Sequence, residues 1–217
     1  MQKYIKAGLL IVVLVVPALI FLFLQGYTAN HFDLPYYVPL RNSVTREVVM
    51  KDKDTIFYQV KDFSLSLFDS PSVITSSHLQ GQTVVLSAFE SPCDANCEKT
   101  LSELTRINVL HQAFPSFTIL TIINKSDELL GKIPNLPKAG WNVAVIPDST
   151  FKSTVQGTFH LLPEDRKEQT ISFNNRLSLI DGKGYIRGYY DAGKTEEIER
   201  LLAEIRVLEY NRKNAQK

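Results

Sequence analysis

Residues 83–104 read TVVLSAFESPCDANCEKTLSEL, and the fold turns on this stretch. Thr83-Val84-Val85-Leu86-Ser87-Ala88-Phe89 is a near-continuous apolar run, the pattern of a parallel strand buried on both faces. Beyond it the period changes. Leu101, Leu104, Ile107 and Leu110 recur at spacings of three, with His111 four beyond Ile107, which predicts a helix. Strand, polar loop and helix is the building unit of α/β folds, whose sites gather at the loops that follow strand ends. The chain's two cysteines, Cys93 and Cys97, fall in that loop.

Working outward, Phe117 to Ile123 reads as a second buried strand and Trp141 to Ile146 as a short third one, ended by Pro147-Asp148. Residues 149–156 predict a short helix stopped by Gly157. Arg176 to Ile180 and Tyr185 to Tyr190 flank Asp181-Gly182-Lys183-Gly184, a hairpin turn. From Thr195 to Tyr210, an acidic start at Glu196-Glu197 and a stripe of Ile198, Leu201, Leu202, Ile205 and Leu208 predict a terminal helix. Upstream, Ile56 to Val60 and Phe63 to Leu67 read as strands, the second with clean alternation. The sum is a three-layer α/β sandwich with a mixed central sheet.

Composition removes several function classes. Among 217 residues, 24 Lys and Arg almost cancel 23 Asp and Glu, for a net charge of +1, so there is no electrostatic footprint of a nucleic-acid binder. No phosphate-binding G-x-x-x-x-G-K-[ST] loop and no G-x-S-x-G nucleophile elbow is present. Two cysteines are too few for a Cys-only zinc site. They suffice for one bridge, or for two thiolate ligands.

Ala7 to Leu24 reads AGLLIVVLVVPALIFLFL, eighteen residues without a charge, near the lower limit of roughly 20 residues for a membrane-spanning helix. Lys3 and Lys6 precede it, which predicts an uncleaved anchor with the long C-terminal part exported. A cleaved signal peptide is the rival, but residues 25–30 match a cleavage site poorly. The expected organisation is a short tail and transmembrane anchor over 1–25, a tether over 26–52, the folded domain over 53–212 and a tail over 213–217. A bacterial inner-membrane protein with a periplasmic domain would keep its cysteines in an oxidising compartment.

The Cys93-Asp94-Ala95-Asn96-Cys97 spacing admits three chemistries. If the segment is helical, both sulfurs share one face and can grip a soft ion such as monovalent copper. The pair can act in thiol–disulfide exchange, with Cys93 attacking and Cys97 resolving. It can also form a permanent bridge between strand and helix. A helix N-terminus favours thiolates, whereas Glu90, Asp94 and Glu98 oppose them.

An N-terminal anchor, a strand, C-x-x-x-C at a helix start and a late hairpin plus helix together resemble the Sco/SenC family over roughly residues 55–210. Asp62-Phe63-Ser64-Leu65 is similar to its domain opening and Gln82 to Phe89 to its first core strand. Thr100 to Leu104 is similar to its helix after the cysteines, and Leu177 to Gly184 to its late hairpin. The resemblance implies a thioredoxin-like fold and a membrane-tethered accessory protein, rather than an enzyme, that handles copper or reduces thiols during cytochrome c oxidase assembly. Its partner would be an oxidase subunit or another thiol protein. It also implies copper ligation by Cys93 and Cys97. Two departures stand out. Asp94 and Glu98 replace the prolines that usually follow each cysteine, and Phe173 occupies the position of the family's copper-ligating histidine. His78 and His160 are the candidate substitutes. His111 lies about five helical turns beyond Cys93 and reads as a hydrogen-bonded packing residue, and His31 falls in the tether. The alternatives to copper handling are a thiol–disulfide oxidoreductase and a non-catalytic module with a structural disulfide.

Overall fold

The computed structural model describes residues 13, 15–22, 33–68, 71–124, 127–132, 139–163 and 172–215. The chain divides into two compact units, Met1–Asp33 and Leu34–Lys217.

In the first unit, residues 13 and 15–22 are helical. The membrane-crossing anchor expected over 7–24 is not borne out: among the described residues no helix is long and apolar enough to cross a membrane. The rest of the apolar run lies outside the described residues. The inner-membrane placement, periplasmic orientation and membrane partner inferred from that anchor lose their basis with it.

In the second unit a small hairpin pairs β1 (Met50–Lys51) with β2 (Asp54–Thr55), and another pairs β3 (Ser64–Ser66) with β4 (Val73–Thr75), which runs into a one-turn helix α1 (Ser76–Leu79). Next come β5 (Thr83–Phe89), α2 (Ala95–Asn108), α3 (Leu110–Ala113), β6 (Phe117–Asn124), α4 (Asp127–Lys132), β7 (Trp141–Ile146) and α5 (Asp148–Lys152). The chain ends with β8 (Arg176–Ile180), β9 (Ile186–Asp191) and α6 (Thr195–Ala215). The main sheet has five strands in the order β7-β6-β5-β8-β9. β5, β6 and β7 are parallel, and β8 and β9 are antiparallel to their neighbours, so the sheet is mixed.

β5 lies at the centre and its seven residues are all buried, which is why its sequence is almost continuously apolar. Strand alternation sends Val84, Leu86 and Ala88 into one core and Val85 and Phe89 into the other. The second core is covered by α2 through Leu104 and Ile107, and by α6 through the expected stripe of Ile198, Leu201, Leu202, Ile205 and Leu208. The first is covered by Phe63, Phe151, Val155, Phe159 and Leu161. These are the three layers read from the sequence.

Local differences have local causes. Ile56 to Val60 forms only isolated bridges, Phe57 to Pro39 and Gln59 to Tyr185. The helix expected over 149–156 is α-helical only to Lys152 and continues as a π-helix over Ser153–Thr158. In the Asp181–Gly184 turn, Gly184 has φ 86°, and a Cβ there would lie 3.0 Å from the Val60 carbonyl oxygen. Glycine is required on both counts. The compact unit begins at Leu34, with Val38 buried and Tyr37 N donating to Ile186 O at 3.2 Å, and α6 runs to Ala215.

Candidate active site

Cys93 and Cys97 are joined in a disulfide with their Cα atoms 5.2 Å apart, within the usual span for such a bridge. Only Cys97 is helical. Asp94 is the N-cap of α2, and its Oδ1 accepts a hydrogen bond from Cys97 N at 3.0 Å, the ordinary capping arrangement. Cys93 therefore precedes the helix, and the two sulfurs meet across the cap rather than along a helix face. The pair is asymmetric: Cys97 is fully buried in the α2–α6 core, whereas Cys93 is half-buried.

The loop from Glu90 to Asp94 carries backbone N–H groups that need acceptors once the loop is seated. Three side chains from three separate elements supply them. Asn174, in the 3-10 turn Phe173–Asn175 just before β8, accepts from Glu90 N at 2.9 Å and donates to Pro92 O at 3.2 Å and Asp94 Oδ1 at 3.4 Å. Asn124, at the end of β6, accepts from Ser91 N at 3.2 Å while its amide donates to Asp148 Oδ1 at 2.9 Å. Glu128, on α4, accepts from Cys93 N through Oε1 at 3.0 Å and from the Ser91 hydroxyl through Oε2 at 2.9 Å. Pro92 follows a cis peptide bond and has no N–H to satisfy. The Cys97 N–H, aided by the Asn96 and Asn174 amides and opposed by a little burial, holds the Asp94 carboxyl below the usual carboxylate range.

The sequence reading did not single out Asn124, Glu128 or Asn174. Sheet order, which the sequence does not show, places the end of β6 and the start of β8 beside the end of β5, next to the cysteine loop. Asn174 is nearly fully buried, and Asn174→Ala would leave Glu90 N without its acceptor. We expect it to lower stability by about 2 kcal/mol, read as a lower urea midpoint at unchanged slope. A loss below about 0.5 kcal/mol would mean water replaces the amide.

The two sulfurs are brought together, but among the described residues no expected third copper ligand joins them. Both sulfurs are committed to the bridge, and among the described residues no group of three or more His, Cys, Asp or Glu side chains could hold a metal ion. Phe173 is buried with its ring edge-on to Phe151 at 5.7 Å, a packing role in place of ligation. His78 Nδ1 lies 2.8 Å from Thr75 Oγ1 and accepts from Thr75 N at the start of α1. His160 packs against the Tyr58 ring at 4.6 Å. His111 donates through Nδ1 to Phe117 O at 2.7 Å, and His31 lies outside the described residues. This donor set does not fit a three-ligand copper centre, and the membrane-anchored copper-handling role is corrected accordingly. The oxidoreductase alternative is the one the geometry favours.

No protein-family model matches the sequence, and no curated protein matches it. Solved structures do. A SCO1/SenC family lipoprotein from Bacillus anthracis superposes with a TM-score of 0.56 at 13% identity, covering 70% of this chain and 95% of that one. BsSco, of the Sco family of cytochrome c oxidase assembly proteins, gives 0.55 at 14%, covering 70% and 94%. A DsbE-type thiol:disulfide interchange protein from Chlorobium tepidum gives 0.51 at 17%, covering 69% and 94%. At such identities the likeness is one of fold. Sco and interchange proteins share it alike, and the chain is a thioredoxin-like α/β sandwich with a mixed sheet.

Proposed function

We propose that the protein carries out thiol–disulfide exchange, with Cys93 as the sulfur that meets the partner and Cys97 as the resolving sulfur. The observation that carries this reading is the asymmetry of the bridge, one half-buried cysteine ahead of the helix cap and one fully buried cysteine in the first helical turn. A partner thiolate attacks Cys93 Sγ and forms a mixed disulfide. The Cys93–Cys97 bond breaks, and Cys97 leaves with the electron pair as a thiolate at the N-terminus of a 14-residue helix, where backbone N–H groups and the dipole favour negative charge. A second partner thiolate then attacks the mixed disulfide and releases Cys93 as a thiolate. The protein gains two electrons and the partner becomes a disulfide. The reverse sequence reduces a partner.

The Sco/SenC resemblances at Asp62–Leu65, Gln82–Phe89 and Leu177–Gly184 support a divergent place beside that family. BsSco, in which a disulfide switch has been identified, is a precedent for a bridge that opens and closes.

The test is equilibration of the full chain in thiol–disulfide buffers of graded potential. Exchange requires a potential above about −300 mV, and a structural staple sits below it. In the reduced protein, Cys97→Ala should trap a mixed disulfide on Cys93, whereas Cys93→Ala should trap none. A potential below that boundary, with no trapped species, defeats the proposal.

A further inference from the structure

Resting on the exchange reading, we infer that Glu128 makes the site selective by charge: it disfavours anionic thiols and favours a partner cysteine flanked by cations. Both carboxylate oxygens are tied to the cysteine loop, Oε1 to Cys93 N at 3.0 Å and Oε2 to Ser91 Oγ at 2.9 Å. The negative charge is thereby held one backbone group away from the sulfur that a partner reaches. Both of these partners are neutral groups, and Glu128 is an exposed residue.

Among the described residues, the other charges close to the bridge in sequence have partners of their own. Glu90 lies 3.8 Å from Lys152 Nζ. Asp94 faces the N–H groups of α2 as its cap. Lys99 donates to Gly193 O at 2.6 Å, so that cation is held by a backbone carbonyl. Glu98, in the first turn of α2, is exposed and has a partner as well. Glu128 is thus the charge anchored directly to the backbone of the reacting cysteine, and it comes from an element that contributes nothing to the bridge itself.

Three two-carbon thiols of similar size separate charge from access: cysteamine (cationic), 2-mercaptoethanol (neutral) and 2-mercaptoethanesulfonate (anionic). Each reduces the bridge by the attack on Cys93 described above. The ratio of the cysteamine rate to the sulfonate rate is measured for the full oxidised chain and for Glu128→Gln, which keeps a hydrogen-bond acceptor and removes the charge. The intrinsic reactivities of the thiols cancel when the two ratios are compared. Glu128→Gln should lower the ratio about fivefold at low ionic strength, the scale for charges several ångströms apart near a surface. Glu199→Gln, a distant exposed carboxylate on α6, should leave it unchanged.

A second measurement needs no variant. In the wild type, salt should slow cysteamine and speed the sulfonate, bringing the ratio toward that of the variant as the Debye length falls to about 3 Å at 1 M. Equal ratios for wild type and Glu128→Gln, or a salt-independent wild-type ratio, overturn the inference while leaving exchange intact. Should none of the three thiols open the bridge without denaturant, the exchange reading itself fails. The two failures are therefore distinct.

Discussion

Arg187→Ala is expected to lower the unfolding free energy by about 4 kcal/mol, the range for removing one partner of a buried ion pair. Arg187 is 4% exposed and Asp181 8%, with Nη1 2.8 Å from Asp181 Oδ2. The other carboxylate oxygen of Asp181 shapes the hairpin turn by accepting from Lys183 N at 2.9 Å and Tyr185 N at 3.0 Å. The same guanidinium donates to Pro35 O at 3.1 Å and to Leu34 O, and it lies 4.0 Å from the centroid of the Tyr36 ring. One side chain thus joins the turn to the first residues of the compact unit. Its loss leaves a buried carboxylate without its charge partner and removes the anchor from residues 34–36. Arg187→Met, which keeps the apolar stem, should lose nearly as much, because the stranded Asp181 is the larger cost. Adding Asp181→Asn to Arg187→Met should recover part of it. Urea unfolding measures each loss, and limited proteolysis should open a new cut near residues 34–41 in Arg187→Ala. A loss under 1 kcal/mol with no new cut would show that the segment is held by its backbone bridges instead.

That arrangement also shows which features the sequence carries. The central strands were legible because a strand buried on both faces must be apolar throughout, and Thr83–Phe89 and Phe117–Asn124 are fully buried. α6 was legible because its stripe repeats at helical spacing, and the hairpin because Asp181-Gly182-Lys183-Gly184 is turn chemistry. Residues 34–49 read as a tether because they have no period. They are held by isolated bridges, Pro39 to Phe57 and Arg41 to Val48, and by an arginine some 150 positions away. The cysteine pair was legible as a two-sulfur site, but its surroundings were not. Glu128 and Asn174 act on the loop across sequence separations of 35 and 84 residues, and only the β6-β5-β8 order brings them there. Phe173 occupies the position expected of a third ligand, whereas the residue that reaches the loop is its neighbour Asn174. The apolar run at 7–24 satisfies a length criterion for spanning. Among the described residues no helix is long and apolar enough to cross a membrane.

At the opposite end of β5 from the cysteines, Glu209→Ala should cost about 3 kcal/mol, and the loss should shrink in acid. The Glu209 side chain on α6 is fully buried. Its Oε1 accepts from Thr83 Oγ1 at 2.7 Å, and its Oε2 accepts from Ser116 Oγ at 2.7 Å and Arg212 Nη2 at 2.9 Å. Thr83 opens β5 and Ser116 immediately precedes β6, so this carboxylate ties the terminal helix to the starts of two central strands. Burial pushes its carboxyl upward. The hydrogen bonds from Thr83, Ser116 and Arg212, with the Arg212 charge, outweigh that and hold it below the usual range. A carboxyl lowered by folding contributes stability above its unfolded value of about 4.3, and that contribution is lost as pH falls through the lower folded value. Glu209→Gln, which is uncharged at every pH, cannot show this loss. The stability gap between wild type and Glu209→Gln should therefore be widest near pH 7 and narrow progressively below about pH 4. Urea midpoints at pH 7, 5 and 3 for the two proteins test it. A gap that stays constant across that range would mean that Glu209 acts as a neutral acceptor and that its ionisation adds nothing. Since the carboxylate lies at the far end of the sheet from the bridge, Glu209→Gln should leave the potential of the Cys93–Cys97 pair where it is, separating a loss of fold from a loss of exchange.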